Sequence, residues 1–547
     1  MNNNKIKQSL IPLWIFSALA IGLLGGYAIK NYTSTKRVFH PFTKFSELDE
    51  VLFYVKDKYV DSVNIDELED EAIVETLKEL DPHSVYLNKE VLAREMEQMD
   101  GEYEGIGIEF FIVEDTVTVV TAMSGGPSES VGIRAGDKIV EVNDSSIAGV
   151  GITNSDVIRL LKGKRGTKVE VGVKRGNRSS LYNFEITRAP IAINSIDVAY
   201  MITPTTGFIK INRFSKDTSK EFKIELNKLV KQDMQDLIID LRGNGGGFMD
   251  DALDILDELI AGNKLLLSAE GRKYKRQIYN AGTRGGFETG KIAVLINEGS
   301  ASASEIVAGA VQDWDRGIIV GRRSFGKGLV QQSFALNDGS AIRLTIARYY
   351  TPSGRSIQKS YDKGNEAYYE TFYNRAFTGE LLNRDSIKVD SSLIFNTLIN
   401  KRIVFGGGGI LPDVFVPVDT LDANNVTNAV YSQGILQEFA YDYFSNNESA
   451  FSGFNSATQF RNQFFVNSSL YNRLIDFTKQ ENPDTNFTKA EELAAKENLS
   501  LALKSLFARQ LFGSEGFFLV SNENDEDIQM ALRTLENNYE SILKPVE

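Results

Sequence analysis

Cysteine is absent from this 547-residue chain, and histidine occurs only twice, as His40 and His83. The lack of cysteine excludes disulfides, a thiolate nucleophile and a cysteine-based zinc site. His40 lies in a predicted linker, so a Ser-His-Asp triad has one credible donor, His83 in the turn formed by residues 81–84 (DPHS). If the protein performs acyl transfer, its base is expected to be a lysine, aspartate or glutamate, and a two-histidine metal site is not expected.

The sequence also shows no basic domain. It contains 60 lysines and arginines against 74 aspartates and glutamates, which gives a net charge of -14. That balance argues against nucleic acid or another polyanion as partner. The composition is otherwise that of a folded protein, with 42% hydrophobic and 24% charged residues. The length exceeds what one core accommodates, so several structural units are expected.

The N-terminus carries an almost unbroken apolar run over residues 11–29, preceded by Lys5 and Lys7. A run of roughly 19 residues can span a bilayer and is longer than the core of a typical signal peptide. We therefore predict a single membrane anchor within residues 1–30, with a cleaved signal as the alternative. Basic residues flank both ends of the run, so charge does not set its orientation.

Hydrophobic periodicity divides the rest of the chain into four parts. Residues 31–96 are predicted to form a linker and a helical unit, and residues 97–190 a β-rich module with glycine-rich turns. Strands alternate with helices across residues 191–420, and helical spacing returns over residues 421–547. The predicted fold is α+β and multidomain, with an α/β core, an inserted β-rich module, helical units at both ends and one transmembrane helix.

A cluster of small residues, GSASASE at 299–305, lies between a predicted buried strand and a predicted helix. Small residues allow the backbone to approach a substrate, and the free N–H groups of a first helical turn can bind an anion. A serine at such a turn has an oxyanion site beside it. Ser300, Ser302 and Ser304 are all candidates, and an ordinary helix cap is the alternative interpretation.

Lys327 lies in the segment SFGKGLVQ, between two glycines and before apolar residues. To act as a base near neutral pH, its pKa must fall by roughly three units from about 10.4, and desolvation can supply that. Gln331 can hold the lysine by an amide hydrogen bond. The two are neighbours if the segment is a helical turn and stand farther apart if it is a strand. A lysine between glycines is also typical of an ordinary loop.

The glycine-rich segment at 243–247 follows a predicted strand and opens a helix. It lacks the lysine and the spacing of a phosphate-binding loop, but its backbone N–H groups can complete an oxyanion hole. A turn that requires positive φ angles accounts for part of the glycine content.

Two further motifs fit their usual function poorly. Residues 321–327 satisfy GxxxxGK, but Gly328 replaces the magnesium-binding serine or threonine and strand-like residues follow. Ser324 and Lys327 have the SxxK spacing of penicillin-recognising enzymes, without the companion SDN and KTG motifs. Nucleotide hydrolysis and penicillin recognition are therefore disfavoured, and no metal or other cofactor is expected.

Taken together, these segments resemble the carboxy-terminal processing peptidases, also called tail-specific proteases. The resemblance covers most of the chain from about residue 45 to residue 417, and the length and order of its motifs make it specific. The motifs are ELDPHSVYL (79–87), YEGIGIEF (103–110), GIRAGDKIVEVND (132–144), FIKINRF (208–214), DLRGNGGG (240–247), GSASASEIVAGAVQDW (299–314), GRRSFGKGLVQ (321–331), DGSAIRLTIARYYTPSGRSI (338–357) and GGGGILPDVFVP (406–417).

The resemblance implies the roles of individual residues. The family's nucleophile falls on Ser302 rather than on Ser300 or Ser304, its general base on Lys327, and its lysine-orienting glutamine on Gln331. A serine peptidase with a Ser/Lys dyad, acting through an acyl-enzyme without ATP, is therefore expected.

The family's oxyanion donors fall on the backbone N–H groups of Gly247 and Ala303. Gly245 stands where many relatives have proline, which leaves the loop less restrained but keeps the two glycines that follow.

The β-rich module resembles a PDZ domain, with Gly105, Ile106, Gly107 and Ile108 where such domains bind a terminal carboxylate. An extended tail adds a strand there while a pocket takes an apolar side chain. The resemblance thus implies protein substrates with apolar C-termini and a module that gates the active site. We expect the catalytic pair to assemble once a tail is bound.

Bacterial relatives imply an enzyme held at the inner membrane by one helix, with the catalytic region in the periplasm. The alternative is a free periplasmic form after signal cleavage. For the extension at 421–547 we expect ordinary packing on the core, with homo-oligomer formation or adaptor binding as alternatives. A PDZ scaffold without catalysis is the rival function, although a scaffold needs neither Ser302 nor Lys327.

Overall fold

The structure is a computed structural model that describes residues 46–176, 180–282, 284–419, 424–483 and 485–545. The chain divides into two compact units, residues 1–75 and 76–547. The described part of the first unit contains α1 (Glu47–Lys58) and most of α2 (Ile65–Lys78). The anchor predicted within residues 1–30 lies outside the described residues, and none of the described helices is long and apolar enough to cross a membrane.

The β-rich module is a small sheet with its own apolar core. Its strand order is β3-β4-β5-β7-β8, with β6 paired to β5, and Val157 and Leu161 of α5 pack into the core. The antiparallel pair of β2 and β9 forms the neck where the chain enters and leaves, which agrees with the predicted insertion. The elements of this part are β1 (Val85–Leu87), α3 (Lys89–Asp100), β2 (Glu102–Gly105), β3 (Ile108–Val113), β4 (Thr116–Ala122), α4 (Pro127–Val131), β5 (Lys138–Val142), β6 (Ser145–Ser146), α5 (Asn154–Leu161), β7 (Lys168–Lys174), β8 (Tyr182–Thr187) and β9 (Ala189–Ala192).

The α/β core is built on a six-stranded sheet of order β10-β11-β12-β15-β16-β21. Its pairs from β11 to β21 are parallel. The carboxyl ends of neighbouring parallel strands meet at one edge of a sheet, so the loops after β12 and β15 lie side by side. The elements are β10 (Ile196–Met201), β11 (Thr206–Ile211), α6 (Thr218–Val230), β12 (Asp236–Asp240), α7 (Met249–Leu259), β13 (Leu265–Glu270), β14 (Gln277–Asn280), β15 (Lys291–Ile296), α8 (Ala303–Asp313), β16 (Ile318–Gly321), β17 (Leu329–Ala335), β18 (Ala341–Tyr350), α9 (Asn365–Tyr373), β19 (Ile394–Asn396), β20 (Ile403–Phe405) and β21 (Val414–Phe415).

A second sheet carries the lysine segment beside the first. Its long strand β18 pairs with β1, β13 and β17. Because β17 begins at Leu329, directly after the glycine-flanked lysine, the segment ends in a strand and not in a helical turn.

The C-terminal region is helical, as predicted, and it has two kinds of packing. Helices α10 to α14 and α16 surround a phenylalanine-rich core of their own, and α16 is interrupted at Gly513, where φ is 64°. The helices are α10 (Asn425–Tyr431), α11 (Ile435–Asn446), α12 (Glu448–Phe451), α13 (Ala457–Gln463), α14 (Ser468–Glu481), α15 (Lys489–Ala494), α16 (Lys496–Ser521), α17 (Glu526–Asn537) and α18 (Tyr539–Leu543), with 3-10 turns at Arg384–Ser386, Ser432–Gly434 and Asn522–Asn524.

Helices α17 and α18 instead cover one face of the parallel sheet. Ile528 and Leu535 pack there in a cluster with Phe208, Ile238 and Leu295, while α6, α7 and α8 contribute to the cluster that holds the opposite face. A parallel sheet requires apolar cover on both faces. Helices α17 and α18 therefore complete the α/β core.

We predict that Leu535→Ala destabilises the α/β core, because Leu535 is only 2% exposed against the sheet. The expected loss is about 2–5 kcal/mol, measured by urea unfolding from Trp314 fluorescence with Trp14 replaced by phenylalanine. Leu493→Ala is the matched control, since Leu493 is 73% exposed, and should change stability by less than about 0.5 kcal/mol. Equal midpoints for the two variants would contradict the packing described.

Candidate active site

Ser302 lies at the turn between β15 and α8 in a strained backbone conformation. Its φ of 55° and ψ of -113° are unusual for a residue with a side chain, and such strain costs about 1–3 kcal/mol. Of the three candidate serines, Ser302 alone has a positive φ. The hydroxyls of Ser300 and Ser304 are engaged with the carbonyls of Leu241 and Asn244, at 2.7 and 2.9 Å.

The carboxylate of Glu305 joins the two segments of the site. Its Oε2 accepts hydrogen bonds from the backbone N–H groups of Ser302 and Lys327, both at 2.9 Å. Its Oε1 accepts from the Ser324 hydroxyl at 2.6 Å and the Gly326 N–H at 2.7 Å. Burial raises the pKa of Glu305 above its ordinary value, and these hydrogen bonds oppose that rise. Four donors on two oxygens match the ionised form.

Tyr349 of β18 holds the same two residues from their carbonyl side. Its hydroxyl lies 2.8 Å from the carbonyl oxygen of Lys327 and 3.2 Å from that of Ser302. Burial raises the pKa of Tyr349 well above its ordinary value, so the hydroxyl keeps its proton and donates. Glu305 and Tyr349 therefore bring the backbones of Ser302 and Lys327 together although they lie on separate segments.

Lys327 sits in an environment that favours its neutral form. Burial, and then the positive charge of Arg343, lower its pKa from the ordinary 10.5 to about 8. Among the residues that the structure describes, none accepts a hydrogen bond from its ammonium group. The side chain is therefore available as a proton acceptor near neutral pH.

Gln331 reaches the turn at residues 81–84 and not the lysine itself. Its Nε2 donates to the carbonyl oxygen of His83 at 2.5 Å, and Asp81 fixes that turn by accepting from the N–H groups of His83 and Ser84, both at 2.9 Å. The His83 ring lies 3.1 Å from the Tyr368 hydroxyl. Burial, and then the charge of Lys327, lower the pKa of His83 to about 4, so the ring is neutral at neutral pH.

The glycine-rich loop at 243–247 is fastened to the serine turn. The carbonyl oxygen of Asn244 accepts from the N–H of Ala301 at 3.0 Å and the hydroxyl of Ser304 at 2.9 Å. A Cβ on Gly246 would lie 2.8 Å from the Cβ of Ser302 and 2.9 Å from the nitrogen of Ala303, and its φ is 98°. Only glycine fits there.

Two backbone N–H groups face this junction without an acceptor. Phe214 donates to the carbonyl of Gly246 at 3.0 Å and accepts from Phe248 at 2.8 Å, so the N–H of Gly247 points away from Phe214. Ala303 is the first residue of α8, and a first-turn N–H has no intrahelical partner. Within the described residues, neither N–H is hydrogen-bonded.

The predicted tail-binding segment, Gly105 to Ile108, runs from the end of β2 to the first residue of β3, an edge strand of its sheet. In the part of the chain that the structure describes, the N–H groups of Ile106 and Gly107 have no acceptor. The carbonyl of Ile106 is held by the N–H and the hydroxyl of Ser128, at 3.1 and 2.7 Å. The side chains of Ile106 and Ile108 are buried in the module's core. An edge strand with free donors at its start can accept an added strand.

Sequence reasoning missed Glu305, Tyr349 and the carbonyl of His83. Glu305 had a visible signal, because a serine followed three residues later by glutamate has the spacing of a capping box. Tyr349 had none, since it stands 22 residues after Lys327 on another strand.

Comparison with known proteins supports a peptidase. The profile of peptidase family S41 matches residues 205–364, and that of the PDZ domain matches residues 118–175. Residues 426–513 match a family described as being of unknown function.

Three relatives illustrate the similarity. Carboxy-terminal processing protease CtpB of Bacillus subtilis is 30% identical over 348 residues, covering 63% of this chain and 71% of that protein. A probable CtpA-like serine protease of Staphylococcus aureus is 34% identical over 366 residues, covering 65% and 72%. The solved photosystem II D1 C-terminal processing protease is 31% identical, covering 56% of this chain and 83% of that one, with a TM-score of 0.33. The chain belongs to peptidase family S41 and is a serine-type carboxy-terminal processing peptidase with a PDZ domain.

Proposed function

We propose that Ser302 is the nucleophile of this peptidase and Lys327 its general base. The observation that carries the proposal is the single Glu305 oxygen that binds the backbone N–H groups of both residues at 2.9 Å. The lowered pKa of Lys327, about 8, supports the role of base. The hydroxyls of Ser300 and Ser304 donate hydrogen bonds to backbone carbonyls, which disfavours these two serines as nucleophiles.

In the proposed reaction the Ser302 Oγ attacks the scissile carbonyl carbon while neutral Lys327 accepts the hydroxyl proton. The tetrahedral oxyanion is bound by the N–H groups of Gly247 and Ala303. When the C–N bond breaks, the lysine ammonium returns the proton to the leaving amine and an acyl-enzyme remains. A water molecule then loses a proton to Lys327 and attacks the ester carbonyl carbon. When the ester C–O bond breaks, the lysine ammonium returns that proton to the Ser302 Oγ, so the product acid leaves and Ser302 and Lys327 regain their starting forms.

Gln331 is proposed to orient the lysine. Its amide nitrogen is occupied by the carbonyl of His83, which leaves its Oε1 to accept from the ammonium of Lys327. The turn at residues 81–84 thereby sets which end of the glutamine faces the base.

For substrate selection we propose that Gly105, Ile106, Gly107 and Ile108 bind the free carboxylate and apolar end of a protein tail, which extends along β3. The enzyme then cleaves without ATP. We further propose that it acts in the periplasm, anchored to the inner membrane by residues 11–29. The free periplasmic form, assembly of the catalytic pair on tail binding, and oligomer or adaptor contacts stay predictions.

Replacement of the dyad distinguishes this peptidase from a PDZ scaffold. Ser302→Ala and Lys327→Ala should each lower kcat by at least about 10³-fold, measured on an unfolded protein with an apolar tail. Ser304→Ala should stay within tenfold of the parent, since that variant loses only one neutral hydrogen bond of about 1 kcal/mol. Wild-type rates in both dyad variants would refute the assignment.

The pH profile tests the base directly. Only neutral Lys327 accepts a proton, so kcat/KM should rise with pH through an apparent pKa of about 8. The charge of Arg343 helps to lower that pKa, so Arg343→Gln should move the midpoint to higher pH. Arg348→Gln is the control, because Arg348 lies on β18 like Arg343, but its guanidinium donates a hydrogen bond to the Tyr361 hydroxyl. A flat profile, or one that Arg343→Gln leaves in place, would count against a lysine base.

Substitutions at two neighbouring glycines test whether the loop at 243–247, which we call the oxyanion loop, binds the oxyanion. Gly246→Ala forces a Cβ against Ser302 and Ala303 and should lower kcat by about 10²–10³-fold with little change in KM. Gly245→Ala meets nothing within 4 Å and should keep most of the activity. Initial rates over a range of peptide concentrations give kcat and KM for both variants, and equal losses of kcat in the two would argue against a donor role for this loop.

A further inference from the structure

The helical C-terminal region contacts the PDZ module at the strand that follows the tail-binding segment. Arg509 of α16 forms an ion pair with Glu109 of β3, and Glu109 directly follows Ile108. Both side chains are partly exposed, with relative exposures of 34% and 41%, so the pair contributes little to the stability of the fold. It nevertheless links α16 to β3.

A second contact holds the same face of the module. The hydroxyl of Tyr441 in α11 donates to the carbonyl of Gly136 at 2.6 Å, and its ring meets Phe111 of β3 edge-on at 5.8 Å. Glu109 and Phe111 stand two residues apart on β3, so their side chains lie on the same face of that strand. Both helices therefore contact this face and not the unpaired edge of β3.

The other end of the same helical region contacts Arg242, the residue just before the oxyanion loop. Asp525 and Asp527 each accept hydrogen bonds from one guanidinium nitrogen of Arg242, all at 2.9 Å. Arg242 also bonds Asp240 and immediately precedes the loop at 243–247. The side chains of Arg242 and Asp527 are 15% and 8% exposed, so these charge-assisted bonds are shielded from water and strong.

The two ends are joined by a short stretch of chain. Between Arg509 and Asp525 lie the last part of α16, broken only at Gly513, and the 3-10 turn Asn522–Asn524. Asn522 donates to the hydroxyl of Tyr200 on β10 at 3.0 Å, which seats this stretch on the peptidase sheet. We name residues 509–527 the brace.

We propose that the brace couples tail binding on β3 to the geometry of the oxyanion loop, with Asp525 and Asp527 as positioning residues that act through Arg242. The proposal rests on the proposed function of Ser302 and Lys327 and adds its regulation. A tail that adds to the edge of β3 shifts Glu109, the brace follows through Arg509, and Arg242 resets the loop that carries Gly247.

The test measures the coupling itself, since physical contiguity alone does not establish it. Two peptides share one cleavage site and one apolar tail, and differ in having a free or an amidated C-terminal carboxylate. In the parent the free carboxylate should raise kcat. Glu109→Arg and Arg509→Glu should each reduce that stimulation at least fivefold, the lower end of usual allosteric couplings. Arg509→Glu, which lies outside the tail-binding strand, should leave cleavage of the amidated peptide within twofold.

The double variant E109R/R509E restores the ion pair with its charges exchanged and should recover the stimulation. The matched control is K168E/E185K, which exchanges an exposed ion pair between β7 and β8 of the same module and should change nothing. Tail-peptide affinity, measured by fluorescence anisotropy in a Ser302→Ala background, should stay within about fivefold of the parent in Arg509→Glu, because loss of a coupling changes tail affinity by no more than the coupling factor. The coupling role of the brace is refuted by any one of three results: undiminished stimulation in the single variants, no recovery in the double variant, or a loss of tail affinity beyond that limit.

At the catalytic end, the nearly isosteric Asp525→Asn/Asp527→Asn variant should lower kcat at least tenfold with KM unchanged, because Arg242 loses two charged partners. Asp476→Asn, on an exposed face of α14, is the control, and a thermal melt confirms folding. An unchanged kcat in the folded double variant refutes the positioning role. Full activity of Ser302→Ala would instead refute the proposed function, whatever the brace variants do.

Discussion

The buried carboxylate of Glu305 connects two segments that the chain delivers from different strands. One of its oxygens receives the N–H groups of both Ser302 and Lys327, and the other receives donors from Ser324 and Gly326. Loss of this carboxylate would leave four donors unpaired, and the two fully buried ones, from Ser324 and Gly326, would each cost about 1–3 kcal/mol. The strained φ of Ser302 persists because this network, together with the Tyr349 hydroxyl, fixes the turn from both sides.

The parallel sheet supplies the frame for that network. Strands β12 and β15 are neighbours, so the loop at 243–247 and the serine turn leave the same edge of the sheet and can be fastened through Asn244. The sheet itself needs apolar cover on both faces, and α17 and α18 supply one of them. Sequence far outside the peptidase motifs therefore stabilises the surface on which the site is built.

The same C-terminal region reaches the PDZ module, which makes it more than a cover for the sheet. Its contacts with Glu109 and Arg242 lie at the two places where tail recognition and oxyanion binding are proposed. A region that packs on both can transmit a displacement from one to the other, provided that the packed elements have two discrete arrangements.

The sequence by itself determined the class of protein. The lack of cysteine and the scarcity of histidine limited the possible nucleophiles and general bases. Periodicity predicted the α/β core and the helical C-terminal region, and the ordered motifs identified the family. It also selected Ser302 and Lys327, but only through resemblance, because each motif alone is typical of a loop or a cap. Tertiary structure alone decided the partners of these residues. Glu305 lies 22 residues before Lys327 and Asp525 lies 283 residues after Arg242, and hydrogen bonds across such separations leave no periodic trace in the chain.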